Sequence, residues 1–227
     1  MTSDYSSLLK RIGGCCPVFV PVTPQRKPAA EAPAFENLRI SPLCNTVLLQ
    51  YLAKRGIPAD IASGECVEVH YSIRGRENFS VGFRSRSGGI ELRNPYFKGA
   101  VSPKDISCIR RENGNRVNDT VLVFEGFMDY LSYLTLKRGF PVPDCVVLNS
   151  TSNLPKAMDV LKGYSHVRCF LDNDRTGRNA TQEIIRQCGK VSDMAVHYMP
   201  HKDLNEFLMA RLGIAEGVWK KEKRKNC

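Results

Sequence analysis

Acidic side chains follow successive apolar runs in the second half of this 227-residue chain. Glu125 follows the run VLVF, Asp172 and Asp174 follow the run CFL, and Asp203 comes soon after the run VHYM. Carboxylates held close together repel one another, so such a cluster is costly unless cations occupy it. Their hard oxygen atoms suit Mg²⁺ or Mn²⁺, which keep water ligands and accept phosphate oxygens from a substrate. The pattern therefore predicts a divalent-cation site built on Glu125, Asp172 and Asp174.

The Asp172-x-Asp174 pair also has a purely structural interpretation. In an extended segment the two carboxylates lie on the same side of the chain, about 7 Å apart. Aspartates commonly begin turns and cap helices as well, so this pair alone is weak evidence for a metal site. Its combination with Glu125-Gly126, earlier in the same half of the chain, favours the metal.

Four units of one apolar run and one helical segment predict how these carboxylates are positioned. The runs are DTVLVF, CVVL, HVRCFL and MAVHYM, and each precedes a segment with helical periodicity. Successive β–α units form a mostly parallel sheet covered by helices. Ligands of such sheets bind beyond the carboxyl ends of the strands, which is where the acidic residues fall.

The chain before residue 117 has a different pattern. LCNTVLLQYLAKRG and IPADIASGE predict two helices, and residues 66–110 alternate as antiparallel strands do. The predicted fold class is therefore α/β, a mostly parallel sheet flanked by helices, preceded by a smaller α+β subdomain. The expected divisions are a flexible Pro-rich segment at 1–41, a basic subdomain at 42–116, the α/β domain at 117–213 and a basic tail at 214–227.

The net charge of +10 is concentrated outside the α/β domain. Residues 39–116 contain 13 basic and 7 acidic side chains, whereas residues 117–215 contain 11 of each. This asymmetry favours a surface for a polyanion, with simple solubility as the alternative. Basic residues that interleave with aromatic ones are typical of a single-stranded nucleic-acid track, although the aromatic residues also fit the buried face of the strands. The basic residues of this track are Arg84, Arg86, Arg93 and Lys98.

The cysteine pattern and the apolar segments bear on cofactors and location. The chain has nine cysteines, an odd number, and no C-x-x-C pair, which indicates reduced thiols and no zinc site. No apolar stretch approaches the roughly 18–20 residues needed to cross a bilayer, and the N-terminus does not read as a secretory signal. We therefore expect a cytoplasmic protein without a membrane partner.

Four motifs of the second half resemble the Toprim domain of bacterial DnaG-type primases. They are VLVFEGFMDYLSYL, VVLNSTSN, CFLDNDRTGRNAT and YMPHKDLNEFL, in the order that the family shows. The last motif departs from the family at Asn205, where the primases tend to have a second aspartate. Upstream, QYLAKRGIPADIASGE is similar to the helix that opens the primase core, so the resemblance spans residues 42–211. It does not extend to the zinc-binding and helicase-binding domains of those primases.

This resemblance implies a primase-like nucleotidyltransferase that makes RNA primers on single-stranded DNA during DNA replication. Two Mg²⁺ or Mn²⁺ ions would activate the attacking 3′-hydroxyl and stabilise the leaving oxygen. Asp172 and Asp174 would bind metal, and Glu125 would be either a third ligand or the general base.

Five further residues receive roles from the resemblance and from their spacing. Asp129 lies one helical turn after Glu125 and would complete the acidic patch, or else it interacts with the helix dipole. Asp203 would be an outer ligand or the N-cap of the last helix. Arg175 and Arg178 would bind nucleotide phosphate or pair with nearby carboxylates. Arg55 joins the predicted DNA-binding residues.

The implied partners are a single-stranded DNA template, nucleoside triphosphates, and either a replicative helicase or a separate zinc-module protein. Two other functions fit the same motifs. A Toprim nuclease would use the same acidic residues, but no segment here supplies the tyrosine nucleophile or ATPase of such enzymes. A non-catalytic DNA-binding accessory protein, acting in the replication or mobilisation of a mobile element, would explain the missing domains.

Overall fold

The computed structural model describes residues 35–111 and 118–215. Residues 1–34 of the predicted Pro-rich segment and residues 216–227 of the predicted basic tail lie outside the described residues. Within the described ranges, no helix combines the length and the apolar character that crossing a bilayer requires.

The first half of the described chain forms an antiparallel sheet of five strands in sequential order. Two short helices, α1 (Thr46–Lys54) and α2 (Ala59–Glu65), come between its first and second strands. Asn45 caps α1, because its side-chain oxygen accepts hydrogen bonds from the N–H groups of Val47 and Leu48. The strands are β1 (Glu36–Pro42), β2 (Val67–Ile73), β3 (Arg76–Arg84), β4 (Ile90–Arg93) and β5 (Lys98–Val101).

Strand β1 corrects the expectation that residues 1–41 are a flexible segment. Residues Glu36–Pro42 pair antiparallel with β2 at the edge of the sheet. Leu38 and Ile40 alternate with polar residues as in a strand, and Pro42 is tolerated at the end of an edge strand. The surrounding proline-rich composition hides this short alternation.

The second half forms a sheet whose strand order is β10-β9-β7-β8-β6. All neighbours are parallel except β6, which runs antiparallel to β8, so the predicted mostly parallel sheet is confirmed. The strands are β6 (Ser107–Ile109), β7 (Thr120–Phe124), β8 (Asp144–Val147), β9 (His166–Phe170) and β10 (Lys190–Asp193). The flanking helices are α3 (Phe127–Leu136), α4 (Leu154–Leu161), α5 (Arg175–Gln187) and α6 (Leu204–Arg211).

The last strand lies earlier than the sequence predicts. MAVHYM is not a strand, because Ala195–Tyr198 forms a 3₁₀ turn that buries the two residues at its ends. Tyr198 donates a hydrogen bond to the Leu171 carbonyl oxygen at 2.6 Å, which fixes this turn against the end of β9. The actual strand, Lys190–Asp193, is a short edge strand of mostly polar residues, so no apolar run marks it.

The first half forms the predicted antiparallel-sheet subdomain, and it shares one hydrophobic core with the second half. Phe83 of β3 stacks on Phe127 of α3 with ring centroids 5.3 Å apart. Leu52 of α1 and Leu208 of α6 are buried in the same cluster. In addition, β6 falls within the predicted first subdomain but pairs in the second sheet. Separating the halves would expose these side chains, at a cost of about 1.5–3 kcal/mol for each large apolar residue.

Asp105 links the first sheet to the second. It is 2% exposed and accepts hydrogen bonds from the Arg86 guanidinium, the Ser87 hydroxyl and the Ile106 N–H. Burial acts to raise its pKa, but these hydrogen bonds outweigh burial and hold the pKa of Asp105 below its usual value. The Asp105 carbonyl accepts a hydrogen bond from Asn149, which follows β8.

We expect Asp105→Asn to lower the free energy of unfolding at pH 7 by about 1–3 kcal/mol, because a buried hydrogen-bonded charge is lost. Because the pKa of Asp105 is lower in the folded state, the ionised carboxylate stabilises the fold fully above the unfolded-state pKa of about 3.9. This stabilisation is lost as the pH falls through the pKa that Asp105 has in the folded state. Urea denaturation between pH 7 and pH 3 should therefore show a smaller pH dependence in the variant. The exposed control Asp159→Asn should stay within about 0.5 kcal/mol of the unmodified protein. Equal effects of the two substitutions would contradict this role of Asp105.

Candidate functional site

Neighbouring parallel strands bring two of the predicted carboxylates together. Strands β7 and β9 pair in parallel register, with Phe124 opposite Phe170. Glu125 follows β7 directly, and Asp172 follows β9 after one more residue. The Asp172 N–H donates to a Glu125 carboxylate oxygen at 3.4 Å, so the two residues meet at the carboxyl edge of the sheet as predicted.

Asp174 serves as the N-cap of α5. Its Oδ1 atom accepts hydrogen bonds from the Thr176 N–H at 2.9 Å and the Gly177 N–H at 3.0 Å. Its Oδ2 atom is left to face the acidic edge, so capping and a role at the site are compatible. The backbone is tight here, since a Cβ atom on Gly177 would lie 2.2 Å from the Asp172 carbonyl oxygen.

Asp129 and Asp203 complete the acidic edge, and both also have structural roles. Asp129 lies in the first turn of α3 and is 8% exposed, and it accepts a hydrogen bond from the Asn205 N–H at 3.3 Å. Asp203 caps α6 by accepting from the Glu206 N–H at 2.7 Å. The N-cap alternative for Asp203 is therefore confirmed, whereas metal binding by Asp129 and Asp203 stays a prediction.

Asn205, where the family pattern has an aspartate, is a buried amide with a specific role. Its Nδ2 atom donates to the Ser132 hydroxyl at 2.8 Å and to the Arg55 carbonyl at 2.9 Å. A carboxylate could not donate either bond and would add a further negative charge beside Asp129. The Asn205 Oδ1 atom is buried, lines the site and has no hydrogen-bond partner in the structure.

Lys202 is a member of the site that the sequence reasoning missed. Its Nζ atom lies 3.0 Å from Asp172 Oδ2 and 3.5 Å from Asp174 Oδ2. The hydrogen bond to Asp172 raises the pKa of Lys202 above its usual value. The sequence signal for Lys202 was its position directly before Asp203. The turn that places Asp203 at the acidic edge of the sheet places Lys202 there as well.

Burial and mutual repulsion perturb the acidic side chains. Burial, with the nearby Asp172 carboxylate, raises the pKa of Glu125 to about 7. Burial, with Asp203 and Asp172 nearby, raises the pKa of Asp129 well above its usual range. The Gly177 N–H and the other cap contacts lower the pKa of Asp174. Such perturbed groups gathered in a cavity are typical of functional sites.

All of these acidic side chains except Asp174 line a cavity of about 490 Å³, and basic side chains line it as well. Its acidic wall includes Glu125, Asp129, Asp172 and Asp203 at the edge of the second sheet. Its basic wall comes from the end of α1, β4, β5 and the segment after β5, and carries Arg55, Arg93, Lys98 and Lys104 together with one acidic residue, Glu91 of β4. Three of these four were predicted as DNA-binding residues, and Lys104 was not.

Arg84 and Arg86 do not line this cavity, which corrects their predicted place on the track. In the antiparallel pairing of β3 with β4, Arg84 lies opposite Ile90, whereas Arg93 lies opposite Val81. Arg84 and Arg93 are therefore at opposite ends of the strand pair. Arg86 is engaged by Asp105 at 3.2 Å.

Arg175 and Arg178 are exposed in the first turn of α5 and do not line the cavity either. Of the aromatic residues near the basic wall, Phe83 is buried in the core and Tyr96 is 71% exposed.

The donor atoms of the acidic wall fit a divalent cation, but their arrangement holds an ammonium group. All are hard oxygens, and the unpartnered Asn205 Oδ1 is of the same kind. In the described part of the chain, however, no three His, Cys, Asp or Glu side chains converge closely enough to hold one ion. The metal site of Glu125, Asp172 and Asp174 stays a prediction, and in the structure the Lys202 ammonium group contacts both aspartates.

Comparison with known proteins agrees with the motifs. Residues 122–208 match the family model described as Toprim-like, and residues 37–102 match a model described as Domain of unknown function (DUF8464). A search of curated proteins returned no match.

Solved structures that resemble this one include two primases. The primase fragment of the bacteriophage T7 primase-helicase protein is 18% identical with a TM-score of 0.53, over 88% of this chain and 83% of that one. The Aquifex aeolicus primase, with its zinc-binding and RNA polymerase domains, is 14% identical with a TM-score of 0.48, over 81% of this chain and 56% of that one. The chain therefore carries a Toprim-like domain, as its motifs predicted, and shares its fold with the phage primase fragment.

The tight packing of Gly177 generates a prediction. Gly177→Ala should lower the free energy of unfolding by about 1–3 kcal/mol, because the added methyl group collides with the Asp172 backbone. The control is Gly64→Ala in α2, where nothing lies within 4 Å of the new Cβ atom. That substitution should be neutral or stabilise by up to about 1 kcal/mol. Thermal and urea denaturation would compare them, and a neutral Gly177→Ala would contradict the close approach.

Proposed function

We propose that this chain is a primase-like nucleotidyltransferase that makes short RNA primers on single-stranded DNA in DNA replication. The observation that carries the proposal is that carboxylates on one wall and arginines and lysines on the other line the same cavity. Nucleotidyl transfer needs both, because an anionic template and triphosphate must approach a strongly acidic metal-binding edge.

The basic wall would hold phosphate groups. Arg55 lines the cavity, and its Nε atom is buried without a hydrogen-bond partner, so a phosphate oxygen of a template or nucleotide would supply the missing acceptor. Arg93 and Lys98 pair across β4 and β5, so they present two positive charges side by side. Such charge-assisted contacts fix the register of a nucleic-acid backbone without reading its sequence.

The acidic wall would hold Mg²⁺ or Mn²⁺ through Asp172 and Asp174, with Asp129, Asp203 and Glu125 around them. A bound divalent cation would supply neutralisation of the charge that develops on the α-phosphate. In the transfer itself, the 3′-oxygen forms a bond to the α-phosphorus while the bond to the bridging oxygen breaks and pyrophosphate leaves. The hydroxyl proton passes to the Glu125 carboxylate or to water.

The remaining parts of the proposal come from the family resemblance. Nucleoside triphosphates and single-stranded DNA are the proposed ligands, and Arg175 and Arg178 reach them only if the bound nucleotide extends beyond the cavity to the start of α5. A replicative helicase or a separate zinc-module protein is the proposed partner, in the cytoplasm. The primases that the motifs resemble use domains of both kinds.

A primer-synthesis assay tests the activity. Labelled nucleoside triphosphates, single-stranded DNA and Mn²⁺ should yield short RNA products with the unmodified chain. Asp172→Asn combined with Asp174→Asn should reduce them to background, because neutral amides are poor ligands for a hard cation. Asparagine is chosen because it still caps a helix, so the start of α5 is retained. Equal synthesis by the double variant would refute the assignment of the acidic wall.

A DNA-binding titration tests the basic wall separately. Arg93→Ala and Lys98→Ala should each weaken binding to a fluorescent single-stranded oligonucleotide. Each should also reduce the salt dependence of the affinity by about 0.7 in the log–log slope for one lost phosphate contact. The control is Arg84→Ala, an exposed arginine of the same sheet that does not line the cavity. If Arg84→Ala weakened binding as much as the other two, the cavity would not be the track.

A further inference from the structure

The ammonium group of Lys202 contacts two carboxylates at the acidic edge. Lys202 Nζ contacts Asp172 Oδ2 at 3.0 Å and Asp174 Oδ2 at 3.5 Å, so it bridges the two aspartates that are the first candidates for metal ligands. The Asp172 side chain is 13% exposed, whereas that of Lys202 is 53% exposed. The lysine therefore reaches the aspartates from the solvent side of the cavity, with room to withdraw.

The backbone holds Lys202 in this position. The Asn173 N–H, between the two aspartates, donates to the Lys202 carbonyl at 2.6 Å, and the Asn173 side chain donates to the His201 carbonyl at 2.9 Å. On the other side, the Lys202 N–H donates to Glu206 Oε2 at 2.8 Å. The loop that carries the aspartates and the turn that carries the lysine are thus fastened to each other, unlike a surface lysine that meets a carboxylate by chance.

Lys202 and a divalent cation cannot share the space between the aspartates. A cation would bind carboxylate oxygens at about 2.0–2.6 Å, closer than the ammonium group, and the two positive charges would repel each other.

From this geometry we infer that Lys202 is a resident counter-ion that must leave Asp172 and Asp174 before a divalent cation binds, and so sets the concentration at which the site loads. The inference rests on the proposed function, because it concerns the same acidic wall. Lys202 is here a residue that controls metal affinity and need not touch substrate. Its withdrawal would also release one more positive charge into a cavity that receives phosphates.

Mn²⁺ binding by calorimetry or by electron paramagnetic resonance tests the inference without any activity measurement. Lys202→Met, which keeps an unbranched side chain one atom shorter and removes its charge, should tighten Mn²⁺ binding by about tenfold or more. The matched control is Lys104→Met, which removes a charge from the same cavity, whereas the ion pairs of these two aspartates among the described residues are with Lys202. It should change the affinity by less than about twofold, because charges farther apart across water are screened.

A second measurement uses the unmodified chain and does not depend on the variant folding. Acylation of lysines, followed by mass spectrometry, should show Lys202 protected without metal and several-fold more reactive at saturating Mn²⁺. Lys190, at the opposite end of the sheet, serves as the reference and should not change.

The outcomes separate the inference from the proposed function. If the unmodified chain binds Mn²⁺ and Lys202→Met binds it no more tightly, or if Lys104→Met has an equal effect, the counter-ion role is overturned while the proposed function stands. Unchanged acylation of Lys202 on Mn²⁺ binding overturns it as well, including when the variant fails to fold. If neither the unmodified chain nor Lys202→Met binds Mn²⁺, both the inference and the proposed metal site are wrong.

Discussion

The repulsion among carboxylates at one edge of a parallel sheet is the constraint on which the rest of this structure depends. Glu125, Asp172 and Asp129 are held close enough that burial and mutual repulsion raise their pKa values. The fold offsets this cost with local donors and with charge. Backbone N–H groups at the start of α5 stabilise Asp174, and the Lys202 ammonium group bridges Asp172 and Asp174. These groups neutralise only part of the negative charge of the carboxylates, and the charge that remains suits this edge to a divalent cation.

The shared hydrophobic core positions the basic wall, because it packs the first sheet against the helix that follows Glu125. Phe83 stacks on Phe127, and Phe127 lies two residues after Glu125 at the start of α3. The Asn205 amide makes a second connection, since it binds the Arg55 carbonyl on one side and the Ser132 hydroxyl on the other. Arg55 and the acidic helix start are therefore positioned by the same buried residue. An amide can form these bonds and a carboxylate cannot, which gives a structural reason for the asparagine at this position.

Local patterns in the sequence predicted most of the helices and strands and the acidic edge. The features that they did not predict depend on strand pairing and on contacts between residues far apart in the chain. The runs ending at Glu125 and Asp172 are strands because continuous apolar segments suit a sheet covered on both faces. The polar edge strand Lys190–Asp193 carries no such signal, and the apolar spacing of Ala195 and Tyr198 belongs to a 3₁₀ turn. Arg84 and Arg93 look equivalent in the sequence, yet the antiparallel pairing of β3 with β4 places them far apart. Lys202 was missed because a lysine beside an aspartate is common, and its contact with Asp172 depends on a turn 30 residues later in the chain.

In the proposed reaction, carboxylates and basic side chains act on one nucleotide in one cavity. Diffraction data at the manganese absorption edge, from crystals soaked with Mn²⁺ and a non-hydrolysable nucleoside triphosphate, would test it most directly. We predict an anomalous peak within about 2.0–2.6 Å of Asp172 carboxylate oxygen, with Lys202 withdrawn and the phosphates in contact with Arg55, Arg93 or Lys98. A manganese peak away from Asp172, or a triphosphate bound outside the cavity, would contradict it.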